Sequence, residues 1–440
     1  MKRSSALRPL RRIVLVAFCL GAIITLAAVS RAKVETTAGG AHQRLLIPIG
    51  RKALSIPVYS GTGDHVFMPG HLDGPVVRRT GPDTWTSTWY CQDEVHHRAG
   101  AGHLLEIGCA VTRRAFALGD VAVPAAIAPM PSRLVVLSDL EGNSAFMEAA
   151  LRKLGVVGAA GGWQFGQGQL VVLGDSVDRG KDVFAVLWRL RELAGQAQAA
   201  GGAVHVLLGN HEQYVLHGNL TRADPEHRYA LKAMGGYSSA FDADTVIGAW
   251  LREQPVVLQL GRVLFTHGGI SRSVVESKLG VAELNEAMRA YWRNGDGRSQ
   301  GLAPSRLEAV LGRTGVTQYR GYFGELDGHY PAATQADIDA ILAHFNVEQI
   351  VVGHTLVDRV KPLHGGRIMA VDVNDDEARP EVLVYNHGVP SVVDIGLPRH
   401  LDNEQKTERR SIRLLDKADR QMLIAMVREF WTLSRLPDPR

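Results

Sequence analysis

Three short polar stretches gather residues that could do chemistry: Ser138-Asp139-Leu140-Glu141-Gly142-Asn143, Gly174-Asp175-Ser176-Val177-Asp178-Arg179-Gly180 and Gly209-Asn210-His211-Glu212. Two more supply imidazoles, His267-Gly268-Gly269 and Gly353-His354-Thr355. Clustered carboxylates repel one another, so such a set is stable only where cations neutralise it. Oxygen donors joined by one or two imidazoles suit a pair of divalent ions such as Mn, Mg, Fe or Zn.

The elements that must position these residues are legible next to them. LVVL (134–137), LVVL (170–173), VHVLL (204–208), VLFT (263–266) and IVV (350–352) each run directly into one polar stretch. They are mostly branched aliphatics without alternation, as in strands buried on both faces. The polar stretches therefore sit at strand C-terminal ends, the rim where ligands bind in layered α/β folds. Phe146, Ala150, Leu151 and Leu154 recur at helical spacing behind Asn143 or Ser144 as N-cap, and Val183, Val186, Leu187, Leu190 and Leu193 do the same. Alternating strand and helix gives crossover connections and a parallel sheet. PVVLQL, Gly261-Arg262 and VLFT read instead as a two-residue hairpin, which makes a sheet mixed. RIMAVDV (367–373) reads as a further strand closing a sheet.

In this order, Asp-x-x-Gly, Gly-Asp-x-x-Asp-Arg-Gly, Gly-Asn-His-Glu, His-Gly-Gly and Gly-His-Thr, the motifs resemble the calcineurin-like metallophosphoesterases. The likeness runs from about 130 to 390 and is nearest the serine/threonine phosphoprotein phosphatase branch. It implies a four-layer α/β sandwich, two mixed sheets face to face with helices outside. It also implies that Asp139, Glu141 and Asp175 hold one metal ion, and that Asp175, Asn210, His267 and His354 hold a second. His211 matches the family's general acid, with Asp178 fixing its tautomer. Arg179, Arg320 (in Tyr-Arg-Gly) and Asn210 match its phosphate-binding residues. Glu212 reads as a helix-start or arginine-orienting residue rather than a ligand.

One departure stands out, since the family's first motif is Asp-x-His-Gly and this chain has Glu141 in place of the histidine. A third carboxylate lowers the net charge around two dications and acidifies bound water less. The expectation is therefore Mn or Mg in preference to zinc, Mn foremost, and an alkaline pH optimum.

The remaining sequence places this core in a longer chain. Of 440 residues 45% are apolar and 21% charged, enough for one large domain with appendages. The net charge of +4 includes six basic residues and no acid in 1–32, so the rest carries −2 and gives no ground for a nucleic-acid partner. Residues 13–30 are an apolar run behind that basic cluster, which fits a cleaved secretory signal or a retained membrane anchor, with the bulk exported to the extracytoplasmic or periplasmic side. Cys91 and Cys109 could then pair in an oxidising compartment. Residues 33–130 read as a β-rich region with Trp85 and Trp89 as core, 131–395 as the phosphoesterase domain, and 396–440 as a tail. In that tail Leu415, Ala418, Met422, Met426 and Phe430 form one apolar helical stripe. Residues 270–345 have the size of an insertion that walls a substrate site.

The expected activity is metal-dependent hydrolysis of phosphate monoesters, in phosphoproteins or small molecules. Cleavage of nucleotides or dinucleoside polyphosphates at a pyrophosphate bond is the second reading. A non-catalytic phosphate-binding module is the third.

Overall fold

The aliphatic runs are strands buried on both faces, and their alternation decides the layering. The computed structural model describes residues 31–36, 43–49, 52–58, 71–92, 94–109, 112–219, 222–236, 239–293, 303–324, 330–374, 378–396 and 408–413, with isolated residues on to 424. From residue 127 on, within the unit 66–401, the described strands are β1 (Ile127–Ala128), β2 (Arg133–Leu137), β3 (Gln169–Val172), β4 (Ala203–Val206), β5 (Val257–Leu260), β6 (Val263–Thr266), β7 (Gln349–Val352), β8 (Lys361–Leu363), β9 (Ile368–Ala370), β10 (Glu381–Asn386) and β11 (Val389–Asp394). They form a five-stranded sheet in the order β4-β3-β2-β10-β11 and a six-stranded sheet in the order β8-β9-β7-β6-β5-β1.

Both sheets are mixed. β2, β3 and β4 run parallel, and β10 lies antiparallel to β2. β6 and β7 run parallel, while β5 and β6 are the expected hairpin, with Leu260 opposite Val263 across Gly261-Arg262. Along β2, Leu134 and Val136 join a cluster with Phe265, Val351 and Leu383 contributed by both sheets, whereas Val135 and Leu137 join another with Phe146, Val186 and Leu190 of the helices. One strand thus serves two cores, which is why its sequence is apolar at every position from Leu134 to Leu137. The arrangement is the expected four-layer α/β sandwich.

Helix α1 (Ser144–Lys153) is capped by Asn143, whose side chain accepts from Phe146 N–H at 2.9 Å. The other helices that matter here are α2 (Val183–Ala199), α3 (Asn210–Leu216), α4 (Pro225–Ala233) and α5 (Val246–Arg252). In the walling segment the described residues form α6 (Arg272–Glu276), α7 (Val281–Arg293), α8 (Pro304–Leu311) and α9 (Gln335–Phe345).

The strands Leu72–Arg79, Thr84–Cys91 and Glu94–Ala101 form a sheet, with Leu104–Cys109 and Thr112–Ala117 as a hairpin beside them. Trp85 and Trp89 are buried. Cys91 and Cys109 are joined in a disulfide with their Cα atoms 5.7 Å apart. Polar contacts tie this region to the helices: Trp188 Nε1 donates to Pro75 O at 2.9 Å, His227 Nδ1 lies 2.6 Å from Asp73 Oδ2, and Arg78 pairs with Asp244.

A second unit comprises 1–65 and 402–438. Its described strands Lys33–Thr36, Gln43–Ile49 and Lys52–Val58 form an antiparallel sheet joined by Glu408–Ser411. Residues 13–30 lie outside the described residues, among which no helix is long and apolar enough to cross a membrane. Of the tail's apolar stripe, Leu415 is exposed and Ala418, Met422, Met426 and Phe430 lie outside the described residues.

Candidate metal centre

All five polar stretches converge on one rim. The first two are stitched together by backbone: Asp139 N–H donates to Gly174 O at 3.1 Å, Glu141 N–H to Asp175 O at 2.8 Å and Gly180 N–H to Glu141 O at 2.8 Å. The fit is close enough to require glycine at the crossing points. A Cβ on Gly174 would meet Gly209 N at 2.4 Å, and one on Gly353 would meet Asp139 Oδ2 at 2.6 Å. Six non-glycine residues of the rim have left-handed backbone: Asp139 (φ 49°), Glu141 (47°), Asp175 (49°), Asp178 (67°), Arg179 (55°) and His354 (65°). Each costs on the order of 1–3 kcal/mol, and such strain persists only where surrounding contacts over-determine it.

Asp175 is the centre. Its Oδ1 accepts the backbone N–H of His211 at 2.9 Å, and its Oδ2 lies 3.1 Å from His267 Nε2 and 3.7 Å from His211 Nε2. Donor atoms of Asp175, His267 and His354 lie within 4.8 Å of one another, and so do those of Glu141, Asp175 and His211. Asp175 thus belongs to both groups, as a bridging carboxylate must. Asn210 Oδ1 is 3.0 Å from His267 Nε2, adding an oxygen to the first group. Asp139 falls in neither triad; its Oδ2 accepts from Ser138 Oγ and, at 3.1 Å, from His354 N–H. His211, assigned to acid catalysis from the sequence, belongs to the second triad.

The imidazoles are oriented by partners behind them. His267 Nδ1 is 2.9 Å from Leu173 O, so it donates there and turns Nε2 toward Asp175. His211 Nδ1 is 2.9 Å from Asp178 Oδ2, with both side chains buried. His354 Nε2 is 3.2 Å from Gln318 O. Burial works against charging His267, yet Asp175 and Asp139 outweigh it and raise the group to about 10. The same opposition, won by Asp175 and Asp178, raises His211 to about 9. For His354, burial and the neighbouring His267 and Arg320 push the other way and hold it well below its ordinary value, in the neutral form a cation needs. The centre favours positive charge, and its oxygen and imidazole donors fit divalent ions.

Glu141, at the departure position, is buried, and burial raises it to about 8 despite Arg179 nearby. Its carboxylate faces Arg179 Nη1 at 2.8 Å and the Asn374 amide. Arg320 Nη1 reaches Thr355 Oγ1 at 3.2 Å and its Nη2 lies 3.3 Å from His354 Nδ1, so this arginine arrives at the rim as expected. Glu212 accepts from the backbone N–H groups of Gly209, Asp175 and Ser176 at 2.7, 2.8 and 2.7 Å. It closes the start of α3 and fixes the second stretch, without touching the cation sites.

The calcineurin-like phosphoesterase family model matches residues 132–358, just over half of the chain. The chain belongs to the calcineurin-like phosphoesterases. This phosphoesterase shares 30% identity and a TM-score of 0.66 with a cold-active protein-tyrosine phosphatase of a psychrophilic Shewanella species, over 77% of this chain and 99% of that one. A Shewanella-like protein phosphatase 1 of Plasmodium berghei is 24% identical over 51% of the chain and 61% of its own length. A symmetrical bis(5'-nucleosyl)-tetraphosphatase of a Janthinobacterium species is 31% identical over 30% of the chain and 42% of its own length. The alignments thus span less than two thirds of these curated relatives. The protein-phosphatase relatives support the serine/threonine phosphatase-like branch.

Sequence reasoning missed Arg222, Asn374 and the Gln318 carbonyl. Asn374 follows the strand of RIMAVDV, so the rule that strand C-terminal ends carry the site would have found it. Arg222 lies in no motif and gave no signal.

Proposed function

We propose that this phosphoesterase hydrolyses phosphate monoesters, of phosphoproteins or of small molecules, using two divalent ions and His211 as general acid. One observation carries the reading: Asp175 is common to two donor groups, beside a buried His211–Asp178 pair. Asp139, Glu141 and Asp175 would hold one ion, and Asp175, Asn210, His267 and His354 the other. When bound, the ions supply the charge that activates water and offsets the phosphoryl oxygens. Mn is the preferred ion, because Glu141 adds a hard oxygen donor.

The chain's own groups do the rest. Arg179, beside Glu141, and Arg320, beside His354, fork onto phosphoryl oxygens. Asn210, whose Nδ2 donates to the Tyr214 hydroxyl and whose Oδ1 lies beside His267, joins them as a phosphate-binding candidate. His211 donates from Nε2 to the departing oxygen, because Nδ1 is committed to Asp178. A phosphate-binding module without activity would give that pair no task, which argues against the non-catalytic reading. The Cys91–Cys109 bridge and the basic-then-apolar leader support an exported protein, anchored or released.

Metal-reconstituted protein with Mn should hydrolyse p-nitrophenyl phosphate and contain about two ions per chain. His211→Ala should remove nearly all of that activity. Equal background rates in the two proteins would sink the proposal. Cleavage of phosphoanhydrides, including dinucleoside polyphosphates, is the second reading, and a third arginine at the rim favours it.

A further inference from the structure

Arg222 is in the site but outside every motif. Its carbonyl accepts Arg179 N–H at 2.9 Å, which ties its backbone to the second polar stretch. Its guanidinium lies 4.5 Å from the ring centroid of Tyr214, and the Tyr214 hydroxyl accepts from Asn210 Nδ2 at 3.3 Å. The guanidinium is thus held over an aromatic face anchored to a proposed ligand. Its Nη1 is 3.3 Å from His211 Nε2.

That last distance fixes which part of a substrate Arg222 can meet. A proton donor must have its acceptor within about 2.6–3.2 Å. The departing oxygen opposite His211 Nε2 therefore comes within about 6.5 Å of Arg222 Nη1, one substituent beyond direct contact at most. The Arg179 and Arg320 side chains contact Glu141 and His354 instead, two of the proposed ligands. An alkyl or phenyl group that takes the His211 proton leaves as a neutral alcohol and offers nothing to a guanidinium, and p-nitrophenolate spreads its charge over the ring and nitro group instead of presenting phosphate oxygens. A leaving group that is itself a phosphate offers an anion at that place.

We propose that Arg222 binds the phosphate on the leaving side of the scissile bond and so selects phosphoanhydrides: pyrophosphate, nucleoside diphosphates and triphosphates, and longer polyphosphates. This rests on the hydrolytic reading above. In the step, water oxygen bonds to the attacked phosphorus and the bond from that phosphorus to the bridging oxygen breaks. The electron pair stays on the bridging oxygen, which becomes a terminal oxygen of the departing phosphate. One water proton is released, and the departing phosphate leaves as an anion paired with Arg222 or protonated by His211. No co-reactant other than water is needed.

The test compares Arg222→Gln and Arg222→Lys with the unaltered Mn-loaded protein on ADP, pyrophosphate, phenyl phosphate and p-nitrophenyl phosphate. Arg222→Gln should lose about 10- to 100-fold in kcat/KM on the anhydrides, the range for one charge-assisted hydrogen bond. The loss on anhydrides should exceed that on phenyl phosphate by at least about tenfold, with Arg222→Lys recovering part of it. Calorimetry should show the preference for pyrophosphate over orthophosphate falling in Arg222→Gln. Parallel losses on both substrate classes with an unchanged binding preference would overturn the proposal, as would no loss at all. If the unaltered protein hydrolysed nothing, the hydrolytic reading would fail, and the binding preference would still report on Arg222. Should Arg222→Gln not fold, Arg222→Lys decides by the same two ratios, since it keeps the charge and loses only the planar fork.

Discussion

Replacing Asp178 by Asn separates the proton-donating role of His211 from metal binding. The two side chains meet at 2.9 Å and both are buried, so the exchange keeps the shape and removes one charge. Charges about 4 Å apart at an effective dielectric of about 20 interact by about 4 kcal/mol. An amide retains a hydrogen bond and recovers about half, leaving roughly 2 kcal/mol, or about 1.5 pKa units of His211. In the protein as it stands burial opposes the charge on His211, while Asp175 and Asp178 raise it to about 9. Cations held as proposed by Asp175 and Glu141 would neutralise those carboxylates and leave Asp178 as the main support of the proton. A general acid works in its protonated form, hence kcat should fall as pH rises through that value, at or below about 9. In Asp178→Asn the falling limb should move down by about 1.5 units. Above both values kcat should drop about 30-fold on phenyl phosphate, the 1.5 units themselves, and much less on p-nitrophenyl phosphate, whose leaving group needs no proton, while at neutral pH both proteins keep most of their protonated acid. The assay is a pH profile on both esters, with metal content measured alongside. An unmoved limb, or equal losses on both esters with the ions still bound, would refute His211 as the acid.

Two further outcomes follow from other contacts. Glu141→His should move the activity optimum from alkaline toward neutral pH, and a profile that stays put would remove Glu141 as the cause. The buried His227–Asp73 pair fastens α4 to the Leu72–Arg79 strand. His227 lies above its unfolded value because Asp73, with its hydrogen bond, overcomes burial. A raised group stabilises fully below the unfolded value of about 6.5, and that contribution disappears as pH rises through the folded value. Asp73→Asn should cost about 3–5 kcal/mol at low pH and flatten the decline above 6.5, as read by urea unfolding. An identical pH slope in both proteins would exclude the pair as its source.

The centre was legible in the sequence because its candidate ligands follow strands that are almost wholly apolar, and position on a rim follows from that pattern. The doubled core is visible in β2 alone, where neighbouring residues enter different clusters. What stayed hidden depends on contacts between distant segments. Asp73 and His227 meet across 154 positions, and Asn374 meets Glu141 across 233. No local spacing records such pairings, so residues 33–130 read as a β-rich region without a task. Glu141 shows the same limit: its substitution for histidine was plain, while its embrace by Arg179 and Asn374 was not.

The left-handed backbone at Glu141, Arg179 and His354 also sets how this molecule responds to laboratory evolution. Glycine adopts that geometry freely, so a screen rewarding heat resistance alone would drift toward glycine at those places. It would discard first the groups proposed to bind cations and phosphate, and return a sturdier chain stripped of that chemistry.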